Sequence, residues 1–371
     1  MTAEFARENA RRLGDRPKRC ASWYKWGVNG RKRRYSLPAG VLPTEIPRGA
    51  EDGGSHVRPK APPAEPRLTD SVAPPPPARR ARLLVDELVT LGPREIASVV
   101  RQLLPLGNFA LEELIKSFPG PLWRPSLATD SRLPRPDEIS ASAAALVAFD
   151  SEAVPYLARL MRHPSGQVRY YAIVICGAFA DTDLIEPLAR AALDEDRDCR
   201  RVALHLLSAY QHERAYRGAL AGLRQSTSDD AQALPMRRRA ISALTQLRDE
   251  ASASLFVDLL GDPDRGIATA CRVGLRVLTA HDFGFVREPW LRWLAERGRE
   301  TRIQWLIEGL GDARTNIRLL ASRELWRFTR FLQPLSENVD RDEFLAAQRN
   351  YERWWAKRQP QDGYSKHPTL R

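Results

Sequence analysis

Long apolar runs are missing from this sequence: the longest, "YYAIVICGAFA" at 170–180, is too short to cross a bilayer. Cysteine is scarce. Cys20, Cys176, Cys199 and Cys271 form no CxxC pair, which excludes a disulfide framework and a paired-cysteine zinc site. They read as small, reduced core residues. The opening "MTAEFARENARRLGDR" carries too much charge for a secretory hydrophobic segment, so the expected location is the cytoplasm. No GxSxG, P-loop, HExxH or GxGxxG occurs, and the six histidines show no metal spacing. The expectation is therefore no catalytic residue, no metal and no cofactor. Lysine is also rare, 7 against 51 arginines, which reflects genome composition as readily as phosphate binding.

What is present is unevenly distributed. Residues 1–80 hold 17 basic and 8 acidic side chains, against 41 and 38 in residues 81–371. A net charge of +12 would suggest nucleic acid, yet most of it sits in the first fifth of the chain. Residues 1–79 also hold 12 of the 28 prolines and few periodic apolar positions, the composition of a disordered, basic, proline-rich tail. Within it, "RCASWYKWGVNGRKRRYSLP" at 19–38 mixes aromatics with a basic run. Such a segment suits phosphate and base contact, but it is read first as a solvated leader.

From residue 80 the pattern turns helical. "RRARLLVDELVTLG" closes on Gly92, "PREIASVVRQLLPLG" opens with Pro93 at a helix start, and "FALEELIKSF" stops at "PGP". Residues 80–137 are expected to form a helical cap followed by a proline-rich loop at 119–137.

A repeat follows over 138–330. With Val168 as position zero, apolar residues fall at +3, +4, +7, +8 and +11: Tyr171, Ala172, Ile175, Cys176 and Phe179, one face of a helix. Starts at Cys199, Ile267 and Ile317 reproduce the pattern, Met236 gives a weaker copy, and a degenerate copy covers Glu138 to Phe149. Gly274 and Glu324 occupy face positions that should be apolar. Ahead of each start lies another apolar helix: "EAVPYLARLM", "LIEPLARAAL", "RAYRGALAGL", "SASLFVDLL" and "TRIQWLIEGL". In the turns between them, Asp194, Asp262 and Asp312 stand five residues before a start, and Arg169, Arg200 and Arg318 one after. An Asp so placed is expected to cap the coming helix and to pair with an Arg of its own or an adjacent unit. A two-helix hairpin cannot bury its own apolar face, so hairpins stack on copies of themselves.

This pattern resembles the HEAT family of helical repeats, with short PBS-lyase-type units as the nearest variant. "SFPGPLW" at 117–123 is similar to a segment of bacterial HEAT-repeat proteins of unknown function. The resemblance covers 138–330 clearly and 80–358 in all. It implies an all-α, right-handed α-solenoid in which the second helix of each hairpin lines the concave side. The lone His212-Glu213 is similar to the metal dipeptide of HEAT-type deoxyhypusine hydroxylases, which need several, so a diiron site is rejected. Phycobilin lyases share the repeat, but nothing here suggests a bilin.

Two aromatic pairs, Trp290/Trp293 and Tyr351/Trp354, lie on extra helices after the last two units, 61 residues apart. They suit either a ligand pocket or the sealing of a repeat end, and the second is preferred. Residues 331–358 are thus expected to be an aromatic capping helix, followed by a flexible C-terminus at 359–371. On the face opposite the apolar stripe, offsets +2, +6 and +9 carry Tyr170, Val174, Arg201, His205, Arg238, Arg276, Leu319, Arg323 and Trp326, among others. Tyr170, Arg201, His205, Arg238, Arg276, Arg323 and Trp326 are the candidate partner-binding residues. The reading is a non-enzymatic scaffold that binds a protein or peptide and does not engage a membrane. The alternative is a nucleic-acid-binding protein akin to the HEAT-like DNA glycosylases, with contact mainly through the basic tail.

Overall fold

The computed structural model describes residues 75–123, 133–229 and 231–358. Residues 1–74 of the expected tail, including its aromatic island at 19–38, and the expected flexible C-terminus at 359–371 lie outside the described residues. Among the described residues there are seventeen α-helices and no strand, so the chain is all-α, as the periodicity predicts.

Three helices open it: α1 (Pro77–Leu88), α2 (Ile96–Leu103) and α3 (Asn108–Lys116). Helix α1 starts before residue 80 because Pro77 itself sits in the first turn, where its missing N–H is no loss. Helix α2, by contrast, starts at Ile96 and not at Pro93. Residues 93–95 form a turn whose Glu95 carboxylate accepts from the Gly92 N–H at 3.2 Å. The segment expected to be loop holds the short helix α4 (Pro136–Ile139), tied back by a 2.9 Å bond from the Trp123 N–H to the Ile139 carbonyl. The degenerate repeat copy is helix α5 (Ala141–Ala148), capped by Ser140, whose hydroxyl accepts from the Ala143 N–H.

The hairpins follow: α6 (Val154–Leu160) with α7 (Gly166–Cys176), α8 (Ile185–Ala191) with α9 (Arg197–Leu207), α10 (Arg214–Ser228) with α11 (Leu234–Leu247), and α12 (Ser252–Asp258) with α13 (Arg265–Thr279). After the extra helix α14 (Arg287–Arg297) come α15 (Arg302–Gly309) paired with α16 (Thr315–Thr329), and a second extra helix, α17 (Arg341–Ala356). The repeat offsets map onto burial. At +4, Ala172, Ala203, Ala240, Cys271 and Ala321 are all fully buried, and their small side chains let neighbouring helices approach closely. At +8, Leu207, Leu244, Leu275 and Leu325 are fully buried, each worth roughly 1.5–3 kcal/mol of transfer free energy.

Both departures from the pattern have physical causes. A Cβ on Gly274 would come within 2.6 Å of the Phe256 ring and 2.7 Å of Thr245 Oγ1, so only glycine lets α13 lie this close to its neighbours. Glu324 is buried, and its carboxylate is held by Arg248 and Arg302. The aromatic pairs are mostly core. Trp290 is fully buried with its indole N–H bonded to the Gly284 carbonyl, Trp293 packs on His281 and Trp305, and Tyr351 is buried beside Phe331 and the half-buried Trp354.

Candidate functional site

The turns inside the hairpins organise the face of the second helices. Arg169, one residue after its start position, donates to the His163 and Pro164 carbonyls and, through Nε and Nη2, to both oxygens of Asp194 at 2.7 and 2.9 Å. Asp194 belongs to the next hairpin. Met236 is followed by Arg237, whose guanidinium meets Asp262 of its own next hairpin at 2.8 Å, again 25 residues on. Both pairs are buried. Arg200 and Arg318 keep the carbonyl half of the arrangement, donating to Asp194 and Glu195, and to Asp312 and Ala313, respectively.

The aspartates at −5 do not cap the helices. Their Oδ1 atoms accept from the N–H two residues on, at Asp196, Asp264 and Arg314, which closes the turn. Capping falls instead to Asp196, which accepts from the Asp198 and Cys199 N–H groups, and to Asp264, which accepts from Ile267. Hydrogen bonds from those N–H groups hold the Asp196 and Asp264 carboxyls below their ordinary range.

The candidate partner-binding residues differ in exposure and in what they touch. Arg201 is exposed beside Asp198, and His205 is exposed on the same helix. Tyr170 is half-buried, edge-on to Tyr171, and burial raises its hydroxyl pKa. Trp326, also half-buried, lies under the Arg330 guanidinium at 4.0 Å. Two positions on the supposed open face turn inward: Val174 and Leu319 are buried. Adjacent helices cover them, because the stripe on α7 and α16 is wider than the five offsets.

Arg238, Arg276 and Arg323 do meet concave features. Helix α7 packs along α9, and α11 along α13, but α9 and α11 meet over few residues, and α13 and α16 stand further apart. Each separation leaves a groove. The one between α13 and α16, of about 260 Å³, is lined by Val273, Val277 and Leu320, with Arg276, Arg323 and Asn316 around them. The other, of about 160 Å³, has Arg238 together with Arg200 and Arg239. Those last two arginines were missed in the sequence. Arg200 was seen only as a turn residue, and Arg239 sits at +3, an offset reserved for apolar side chains.

Beside the first groove, Asp282 accepts from Arg272 Nε and Nη2, both at 2.9 Å, and stands 3.5 Å from Arg276 Nε. Burial works to raise the Asp282 pKa, but the hydrogen bonds of Arg272 and Gly284 and the two positive charges overcome it, leaving a carboxylate. Neighbouring His281 is buried, and burial holds its imidazole below the ordinary histidine value despite the Thr279 carbonyl and Glu308. Among the described residues no three His, Cys, Asp or Glu side chains gather in a geometry that would hold a metal ion, and no helix is long and apolar enough to cross a membrane.

Stacked helical hairpins joined by turn-to-turn ion pairs, with the second helices side by side, define an α-solenoid of the helical-repeat class. A family model of HEAT repeats matches residues 153–234, from the residue before α6 to the first residue of α11. Residues 153–234 are therefore similar to HEAT repeats, and the hairpins on the C-terminal side of the match keep the same offsets. No curated protein matches the chain.

Proposed function

We propose that the chain is a scaffold that docks a protein segment on the face of its second helices, with no chemical step of its own. HEAT repeats serve generally as protein-interaction scaffolds, and the finer reading rests on one observation. The groove between α13 and α16 has an apolar floor of Val273, Val277 and Leu320 beside arginines at 276 and 323. Val273, at the middle of α13, is 49 % exposed on this groove. Protein interfaces set an apolar centre inside a polar rim, and arginine is among the side chains that carry most of their binding energy.

The test places a photo-crosslinking residue at Val273 in the full chain, and a control at Glu186, which is exposed on α8, a first helix. Irradiation in the cells that make the protein should give a discrete protein adduct from position 273 and none from 186. Equal adducts from both positions, or none from 273, would overturn the reading. Recovery of crosslinked nucleic acid at 273 would transfer support to the nucleic-acid alternative.

A further inference from the structure

The second groove has a chemistry that the repeat itself explains. In two places the array bonds an arginine at +1 to an aspartate at −5 of the next hairpin: Arg169 to Asp194 and Arg237 to Asp262. Between α9 and α11 the arginine is present, as Arg200, but position −5 before Met236 is Ala231. Arg200 spends Nη1 on the Asp194 and Glu195 carbonyls and has no carboxylate partner among the described residues. This rung of the ladder is therefore half-built, as is the one from α13 to α16, where Asp312 is present but Ala268 stands at +1.

The vacancy coincides with the groove of about 160 Å³ between α9 and α11, lined by Arg200, Arg238, Arg239, Ser242 and Gln246 among others. Arg239 adds a charge where Tyr171, Val202, Ala270 and Leu320 stand in the other second helices. A guanidinium has five N–H donors. Arg239 gives one hydrogen bond to the Leu193 carbonyl at 3.2 Å, and Arg238 gives one to Asp264 at 2.9 Å. Three positive side chains thus line one opening, and among the described residues only Arg238 of the three faces a carboxylate. At the same wall Gln246 Nε2 donates to Ser242 Oγ at 3.1 Å, and the serine O–H and the second amide N–H remain as donors.

We propose that this groove is an anion site that takes the carboxylate side chain of an acidic segment of a protein partner, completing the missing rung. The inference rests on the proposed reading that this face docks protein, and it names the chemistry of what docks. Where the array fills the same arginine position itself, the occupant is an aspartate, held at Arg169 by two parallel N–H donors in the fork geometry that matches a carboxylate. The opening, of about 160 Å³, has room for the head of one acidic side chain.

The test uses the full chain and a fluorescent ten-residue peptide of alternating Glu and Ala, with the Gln/Ala peptide as its neutral counterpart. The expected result is saturable binding of the Glu peptide, at least tenfold tighter than the Gln peptide. Ser242→Glu, an exposed change that brings a carboxylate into the groove, should weaken Glu-peptide binding at least tenfold while leaving the thermal melt unchanged. Arg239→Gln should weaken it by a similar factor.

Equal binding of the two peptides, no binding at millimolar peptide, or undiminished binding to Ser242→Glu would overturn the proposal, the last by placing the binding elsewhere on the basic chain. Displacement of the Glu peptide by inorganic phosphate or duplex DNA at lower concentration than by free Glu peptide would also overturn it, in favour of a phosphate site. Failure here with a surviving adduct at Val273 removes only this inference. Loss of that adduct removes the scaffold reading itself.

Discussion

Arg248 and Glu324 stand 76 residues apart in the sequence and meet through two hydrogen bonds, Nε to Oε2 at 2.8 Å and Nη2 to Oε1 at 2.7 Å. Arg302 donates to the same Oε2 at 2.7 Å and also to the Val277 and Leu278 carbonyls. One buried carboxylate thereby joins the end of α11, the last turn of α13, the start of α15 and the middle of α16. Arg302 is itself only 2 % exposed, so its charge depends on Glu324 for compensation.

Replacing Glu324 by Gln leaves two guanidiniums without their carboxylate, and breaking a buried pair in this way costs about 3–5 kcal/mol. Urea unfolding of E324Q should show a loss of that size. Burial works to raise the Glu324 pKa, but Arg248 and Arg302 outweigh it and hold the group below its ordinary value of 4.5. A depressed folded pKa contributes stability that is complete above 4.5 and is lost as pH falls through the folded value. The gap between wild type and E324Q should therefore close as the pH is taken from 6 down to about 3.

The rung at Arg169 and Asp194 is buried, with side chains 9 % and 8 % exposed, whereas Arg201 and Asp198 are 70 % and 63 % exposed. Asp194→Ala should cost about 3 kcal/mol, because it strands Arg169 and opens the turn to Asp196. Asp198→Ala should cost under about 1 kcal/mol. Equal losses in chemical denaturation would contradict the distinction.

Glycine to alanine normally stabilises a helix by about 1 kcal/mol. Gly222 in α10 has open space around its missing Cβ, so Gly222→Ala should raise the melting temperature. Gly274→Ala should lower it, because the 2.6 Å approach to Phe256 overpacks the core at a cost of roughly 1–3 kcal/mol. Differential scanning calorimetry on both variants reads the opposite signs directly.

Cys176, Cys199 and Cys271 are buried, and burial pushes each thiol up to about 12. At pH 8 a thiol-specific alkylating agent should leave all three unmodified in the folded chain and modify all three in 6 M guanidinium. Peptide mapping by mass spectrometry distinguishes them, and fast native labelling of any of the three would refute their placement.

The repeat was legible because its signal is local. An apolar residue every third or fourth position locates α7, α9, α13 and α16 without reference to any neighbour. What could not be read involves partners far away in the chain. Glu324 looks like a lapse in an apolar face until Arg248 and Arg302 are brought to it, and Gly274 looks like a weakness until Phe256 lies against it. The ladder was half visible: Arg169 and Asp194 were marked, but Arg237 was hidden because Met236 begins the poorest copy. Val174 and Leu319 were misplaced for the same reason, since offsets on one helix do not say how many neighbours cover it.

The alternation of complete and incomplete rungs has a mechanical consequence. Arg169–Asp194 and Arg237–Asp262 fasten α7 to the α9 hairpin and α11 to the α13 hairpin, but among the described residues Arg200 reaches no such carboxylate across the α9–α11 joint. The joint from α13 to α16 also lacks a rung, since Ala268 stands at +1, but Glu324 with Arg248 and Arg302 clamps it, so under a bending load the array yields at the α9–α11 joint, as in a chain of stiff links with one loosened pin. The two stiff segments on either side flex about it while their own turns keep their shape.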